Sequence, residues 1–369
     1  MSLLQRIKQH LLPPSSRSFH AFETNANSEM RQLRLENASL MQQLAYMSDQ
    51  LTQITEQVNQ IQAEHAYEQQ RDMMLFWAEY QKPSESPIAA KKRFFRSLPK
   101  AKGNLQLLQD NQIKLFKEFD SICRNNGIIY WVGSGTLLGA YLYEDIIPWD
   151  DDIDVFMTRS QIAQLQELLE SDCTYRITTL WDWYVPCKQI RFCLQDTNNP
   201  AFIDLFPLDL TSSDPEYAWN RVLEERASFV KDIRNEFQGT EWESIPYLPT
   251  THPITKNIER LYREHVASLH DDINYVSSFE DATGLTRGIE NIDELHSTGP
   301  YPINDWIPTQ DMKYRDFSVM ACSAWNTYLT RHYGNYFKIP KDINSHEHVA
   351  NDYLNSEAVQ NSMHHYLGK

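Results

Sequence analysis

From Leu33 onward the apolar positions of the chain recur at heptad spacing. Leu33, Leu40, Met47, Ile54 and Ile61 form one series and Leu44, Leu51 and Val58 a second, bracketed by Asn37 and His65. About four heptads of this kind, rich in Gln and free of Pro and Gly from residue 29 to 81, predict a self-associating coiled-coil helix. A single amphipathic helix packed on the rest of the chain is the alternative. Asn37 at a seam position favours one register in a parallel pair. The prolines of "QKPSESP" then end the helix.

From about Leu105 the pattern becomes mixed. "NLQLLQDNQIKLFKEFDSICRNNG" predicts a helix ending near Gly127, "IIYWV" a buried strand and "GTLLGAYLY" a short helix. "DIDVFM" reads as a strand, followed by a helix over "SQIAQLQELLES" with Ser160 as its N-cap. Strands are expected at "YRITTL", "VPCKQIRFCLQD" and "AFIDLFPL", then helices at "PEYAWNRVLEERASFVKDIRNEF" and around "SVMACSAWNTYLTRHYG". The fold class is therefore α+β, a mixed sheet with a largely helical C-terminal part. The boundaries are a short N-terminal segment 1–28, a coiled-coil helix 29–81, a basic linker 82–104, a globular domain 105–341 and a C-terminal tail 342–369.

Composition narrows the class. The 369 residues are 41% hydrophobic and include nine Trp, enough for at least one sizeable core. The five cysteines, Cys123, Cys173, Cys187, Cys193 and Cys322, lack CxxC spacing, so a zinc site built on them is not expected and reduced thiols in a cytosolic protein are. No apolar run approaches the ~20 residues of a membrane span, and "MSLLQRIKQHLLPP" has no signal-peptide features. Residues 1–102 hold 13 basic and 10 acidic side chains and the remainder 21 and 40. So acidic a body argues against nucleic-acid binding, which needs phosphate neutralisation. "AAKKRFFRSLPKAKG" and "LLQRIKQHLL" each offer a weak peripheral contact with an anionic membrane, and a solvated linker is the favoured reading of the first.

The chemistry concentrates in "VGSGTLLGAYLYEDIIPWDDDIDVFM", where five acids fall between Glu144 and Asp152 and a sixth at Asp154. In a strand Asp152 and Asp154 project to one face while Ile153 and Val155 enter the core. Adjacent carboxylates repel unless a cation joins them. Mg²⁺ suits them, bound through carboxylates, phosphate oxygens and water. Asp204 in "FIDLFPLD" offers a third carboxylate from a matching apolar strand, which would complete a two-ion clamp for phosphoryl transfer. Upstream, the Gly133–Ser134–Gly135 turn precedes a helix start that can receive a phosphate. An EF-hand loop from Asp150 fails, since Val155 and Gln161 stand where Gly and Glu are required. A phosphatase of the aspartyl-phosphate type fits poorly after "PWDD". A sugar-nucleotide glycosyltransferase with a DxD motif stays open on the aspartate pair alone, and a solvated acidic loop is the bland reading.

These residues resemble the signature of the LicD family, G-[GS]-T-L-L-G leading to I-P-W-D-D-D-I-D. The family lies within the nucleotidyltransferase superfamily, with relatives such as fukutin and fukutin-related protein. "CKQIRF", "FIDLFPLD" and "YLTRHYGNYFKIP" are similar to its later segments, in order, over about residues 105–341. The resemblance implies a nucleotidyltransferase-like core. It also implies Mg²⁺- or Mn²⁺-dependent transfer of a phosphorylated group, such as phosphocholine, from a CDP-linked donor to a hydroxyl of a cell-surface glycan. Asp152, Asp154 and Asp204 would be catalytic and hold the metal, with Asp204 a third ligand or the base. Gly133, Ser134 and Thr136 would bind substrate. Lys188 and Arg191 would neutralise phosphate, Lys188 foremost, although three residues apart on a strand they face opposite ways. Asp150 and Asp151 either orient the cluster or are solvated loop acids.

One departure stands out: the family's G-A-V-R-H is replaced by "GAYLYED", with Leu142 and Tyr143 at the basic pair and Asp145 where Gly is usual. It motivates a second reading, a catalytically degenerate scaffold that oligomerises through residues 29–81. The histidines His252, His265, His270, His296 and His332 read as surface or satisfied core residues. His346 and His348 read as a solvated tail or a weak transition-metal pair, and Trp149 as a packing residue or a base-stacking one.

Overall fold

The structure, a computed structural model, describes residues 16–245, 247–292, 298–338 and 348–368. The chain divides into two compact units, Met1–Glu85 and Ser86–Lys369. In the first, α1 (Ser16–Tyr80) is one continuous helix of 65 residues, roughly 100 Å long at the α-helical rise. It starts ahead of the heptads, where residues 16–28 hold no Pro or Gly to stop a helix nucleated further on. The seam residues Leu33, Leu40, Leu44 and Leu51 are all exposed. The short amphipathic segment expected at residues 3–12 lies outside the described residues.

The second unit opens with α2 (Pro87–Arg96), where a linker was expected. Ser86 caps it, accepting the Ala89 N–H at 3.2 Å, and Pro87 occupies the first turn. Ala90 and Phe95 are buried. Several of its cations make contacts within the unit: Lys92 lies 3.8 Å over the Tyr141 ring and Arg96 pairs with Glu144 at 2.6 Å.

Next come α3 (Gly103–Asn125), β1 (Trp131–Val132), α4 (Ser134–Leu142), β2 (Asp154–Thr158), α5 (Arg159–Leu168), β3 (Tyr175–Asp182), β4 (Cys187–Leu194) and β5 (Phe202–Thr211). They are followed by α6 (Pro215–Phe237), α7 (Glu241–Ser244), β6 (Tyr247–Pro249), α8 (Thr255–Asp272), β7 (Gly284–Arg287) and β8 (Tyr301–Pro302). The hairpin β9 (Gln310–Tyr314) and β10 (Phe317–Ala321) precedes α9 (Trp325–Tyr333), α10 (Asn351–Leu354) and α11 (Glu357–Tyr366). The main sheet runs β1-β2-β5-β4-β3-β6, with β7 pairing β5 and β8 pairing β7. The β2–β5 pair is parallel and the other pairings are antiparallel. The fold is thus a mixed α/β arrangement with a mixed sheet.

Two expectations change locally. The N-cap of α5 is Thr158 rather than Ser160, its hydroxyl accepting the Gln161 N–H at 3.3 Å. The helix expected around residues 318–334 begins only at Trp325, because residues 317–321 form β10 against β9. Arg315 turns that hairpin at φ 49°, and its N–H is held by the Glu144 carbonyl at 2.7 Å.

The main core joins α3, α4 and the sheet through Phe116, Trp131, Leu137, Val155, Phe192 and Leu205. Each fully buried aromatic or aliphatic side chain contributes roughly 1.5–3 kcal/mol. A second cluster beneath α6 and α8 holds Trp181, Phe229 and Trp242. The C-terminal segment is docked and not solvated: Leu354, Val359 and Met363 pack with Leu108 of α3. Among the described residues no helix is long and apolar enough to cross a membrane.

Candidate active site

Parallel pairing sets Asp154 of β2 beside Asp204 of β5, and antiparallel pairing sets Arg191 of β4 on the other flank of Asp204. Residues in register across a ladder point to the same face, so two carboxylates and a guanidinium form one row. Asp152 lies just before β2, in the loop, yet its carboxylate joins them: one oxygen from each of Asp152, Asp154 and Asp204 falls within 4.8 Å of the others. Arg191 Nε donates to Asp204 Oδ1 at 2.8 Å, and its guanidinium stacks 3.9 Å from the Phe202 ring.

The turn before α4 supports this row from behind. Gly133 donates its N–H to the Asp154 carbonyl at 3.0 Å, and a Cβ there would meet the Phe156 ring at 2.3 Å. Its smallness is a packing requirement, and its N–H is committed to β2 and not to a donor phosphate. The Thr136 hydroxyl accepts the Asp154 N–H at 2.8 Å, so Thr136 fixes the backbone at Asp154. Ser134 takes φ 39°, and its N–H goes to the Tyr328 hydroxyl at 3.2 Å.

From α3, Gln109 Nε2 donates to the Asp150 carbonyl at 2.7 Å, and Gln112 bridges the Asp151 carbonyl at 2.8 Å to the Phe202 N–H at 3.1 Å. Both amides are buried. The sequence reading missed them, although their signal is visible: polar residues on the helix face that also carries Leu108, Phe116 and Phe119.

The electrostatics favour a cation. Burial pushes Asp154 well above the usual carboxylate value, and Asp152, Asp204 and Asp150 add to it. Asp150 is raised in the same way, by burial and then by Asp152 and Asp151, which makes it part of the cluster and not a solvated loop acid. Burial raises Asp152 too, with His348 opposing and Asp204 and Asp151 reinforcing. Three convergent carboxylate oxygens with excess negative charge are the donor set of a hard divalent ion, so the residues fit Mg²⁺ or Mn²⁺.

Residues 127–244 match the family model described as LicD/FKTN/FKRP, nucleotidyltransferase domain. This segment is similar to LicD-family domains. The chain is 23% identical over 258 residues to the lipopolysaccharide cholinephosphotransferase LicD of Haemophilus influenzae, covering 64% of this chain and 92% of that protein. It is 30% identical over 84 residues to the ribitol 5-phosphate transferase FKRP of Mus musculus, covering 22% of this chain but only 17% of the relative. A 56-residue stretch is 41% identical to an uncharacterized protein of Rickettsia prowazekii, 15% of this chain and 21% of the other. The chain is therefore homologous to transferases of phosphate-containing groups.

Within the matched segment the cation drawn to the triad is Arg191, paired with Asp204. Lys188 faces the other way, as the strand spacing requires, and pairs with Glu259 of α8 at 2.8 Å. The "GAYLYED" departure is absorbed in the core: Leu142 and Tyr143 are buried, and Tyr143 packs edge-on to Phe95 and Trp149. Asp145 pairs with Arg315 and with Lys100.

Of the scattered histidines, His265 bonds Glu225, His252 approaches Glu241 at 3.6 Å, His270 packs on Tyr275 and His332 stacks on Tyr328. His296 and His346 lie outside the described residues. His348, read as tail, instead reaches the acid loop. Burial would lower its pKa, but the bond to Asp151 and the charges of Asp152, Asp151 and Asp204 outweigh that and push it up to about 9.

Proposed function

We propose that this chain is a magnesium-dependent transferase that moves a phosphorylated group, such as phosphocholine, from a CDP-linked donor onto a hydroxyl of a cell-surface glycan. The observation that carries the reading is the convergence within 4.8 Å of oxygens from Asp154 and Asp204, in register on β2 and β5, and from Asp152 in the loop before β2. Homology to LicD over nearly that relative's whole length supports it.

Asp152, Asp154 and Asp204 would hold a divalent ion, which would supply positive charge to offset the charge that grows on the leaving group. The chain's own residues do the rest. Thr136 and Gly133 hold Asp154 at its backbone, so its carboxylate keeps one direction. Gln112 keeps the Asp151 carbonyl and β5 at fixed spacing. Arg191, paired with Asp204 beside the triad, would neutralise phosphate charge. The departure at Leu142 and Tyr143 lies in the core and leaves the triad whole, which weighs against a degenerate scaffold.

Full-length protein offered CDP-choline, CDP-ribitol or CDP-glycerol with Mg²⁺ should release CMP from one of them. Asp152→Ala and Asp154→Ala should lower that rate by about 10³-fold or more, since the clamp on transition-state charge is lost, with an unchanged circular dichroism spectrum. Wild-type turnover in the Asp154→Ala variant would refute the mechanism.

The exposed seam of α1 further supports a homo-oligomer formed through residues 29–81. Replacing Leu44 and Leu51 together by Glu should reduce the light-scattering mass to that of one 43.3 kDa chain. A wild-type protein that already scatters as one chain would contradict this.

A further inference from the structure

His348 comes to the acid loop from a segment more than 100 residues past the LicD-family match. The N–H groups of His348 and Val349 donate to Asp151 Oδ2 at 2.8 and 3.2 Å, and His348 Nδ1 bonds Asp151 Oδ1 at 2.7 Å. The Asp151 side chain is only 5% exposed, so the imidazole is held by a buried carboxylate. That hold turns Nε2 toward Asp152, 3.5 Å from Oδ2.

This separation is longer than the ~2.9–3.0 Å typical of an N–H···O bond. It is close to the edge between two ligands of one cation: with bonds of ~2.1 Å, two ligands stand roughly 3.0 Å apart at octahedral and 3.4 Å at tetrahedral angles. A metal-bound imidazole almost always gives its other N–H to a carboxylate, and Asp151 stands in that place. Ligand atoms of Asp151, Asp152 and His348 lie within 4.8 Å of one another, as do those of the neighbouring triad, and Asp152 belongs to both groups.

We propose that His348 and Asp152 hold a second divalent cation beside the triad, with Asp152 bridging the two ions and Asp151 orienting the imidazole. The nitrogen ligand biases this second position toward Mn²⁺, Co²⁺ or Zn²⁺ over Mg²⁺, which prefers oxygen. The His348 side chain is 36% exposed, which leaves coordination positions open to water or a phosphate oxygen. The inference rests on the reading of Asp152 as a ligand of the triad's ion.

The test is Mn²⁺ binding to the full-length protein, followed by calorimetry and by electron spin-echo modulation from coordinated nitrogen. About two ions per chain are expected, one with imidazole nitrogen coupling. His348→Ala and His348→Asn should each abolish the coupling and reduce the stoichiometry to about one. The Asn amide can still donate to Asp151, so that variant should keep the segment docked and the melting temperature unchanged. Mn²⁺ held by oxygen alone, or coupling that survives both variants, overturns the second cation and leaves the triad standing. No Mn²⁺ bound at all overturns both.

Discussion

Asp204 and Asp209 stand five residues apart on β5 and therefore on opposite faces of one sheet. Both are largely withdrawn from water, with side chains 15% and 22% exposed. Their surroundings differ. On the Asp209 face, Arg159 bonds Asp209 at 2.6 Å and Glu290 at 2.6 and 3.1 Å, and Lys188 answers Glu259. Burial would raise Glu290, but the Arg159 guanidinium holds it below the ordinary carboxylate value; at Asp209 burial prevails over the same guanidinium. On the Asp204 face, Asp150, Asp151, Asp152, Asp154 and Asp204 gather with Arg191 and His348 as the cations paired to them. One face is close to neutral and structural, and the other has a surplus of negative charge that a cation can relieve. Buried charge alone does not mark a site; the imbalance does.

The contrast can be broken at Arg159. Arg159→Met should strip the counter-charge from Glu290 and Asp209 and lower stability by about 3–5 kcal/mol, because it leaves buried carboxylates unpaired. Urea denaturation measures this. Wild-type stability in the Arg159→Met variant would mean that this face is not held by its counter-charge.

A smaller effect is expected from the ion itself. Saturating Mg²⁺, at about a hundred times its Kd, should stabilise the fold by about 2.7 kcal/mol and raise the melting temperature. Asp150, Asp152 and Asp154 are raised in the folded state, so the metal-free fold binds more protons than the unfolded chain between the ordinary carboxylate value and those raised values. Their contribution is full below that window and is lost as pH rises through it. The gain from Mg²⁺ should grow over the same interval, since ligands must first shed protons. Melting with and without Mg²⁺ at about pH 5 and about pH 7.5 checks the sign, and an equal gain at both would contradict it.

Much of the site was legible because it follows from period two. Asp154 and Asp204 each sit in an apolar strand, and the alternation that buries Val155 and Leu205 turns both carboxylates to one face. The same alternation separated Lys188 from Arg191, but it could not say which of them meets the acids; that depends on which face β2 and β5 present. Gln109 and Gln112 were hidden because an amide on a helix face carries no sign of its partner. His348 was illegible for a stronger reason: its position depends on the chain returning to α3, an encounter between residues nearly two hundred positions apart. The basic residues of α2 suggested an unstructured connector, whereas Ser86 and Pro87 were the local start signal.

The register Asp154↔Asp204 has one more consequence. Because both carboxylates ride on one rung of a parallel ladder, the gap between them is inherited from the spacing of the strands, about 4.8 Å in any sheet. The loop that delivers Asp152 is under no such rule, so a change in its length would move the third oxygen while the gauge at the centre stays constant.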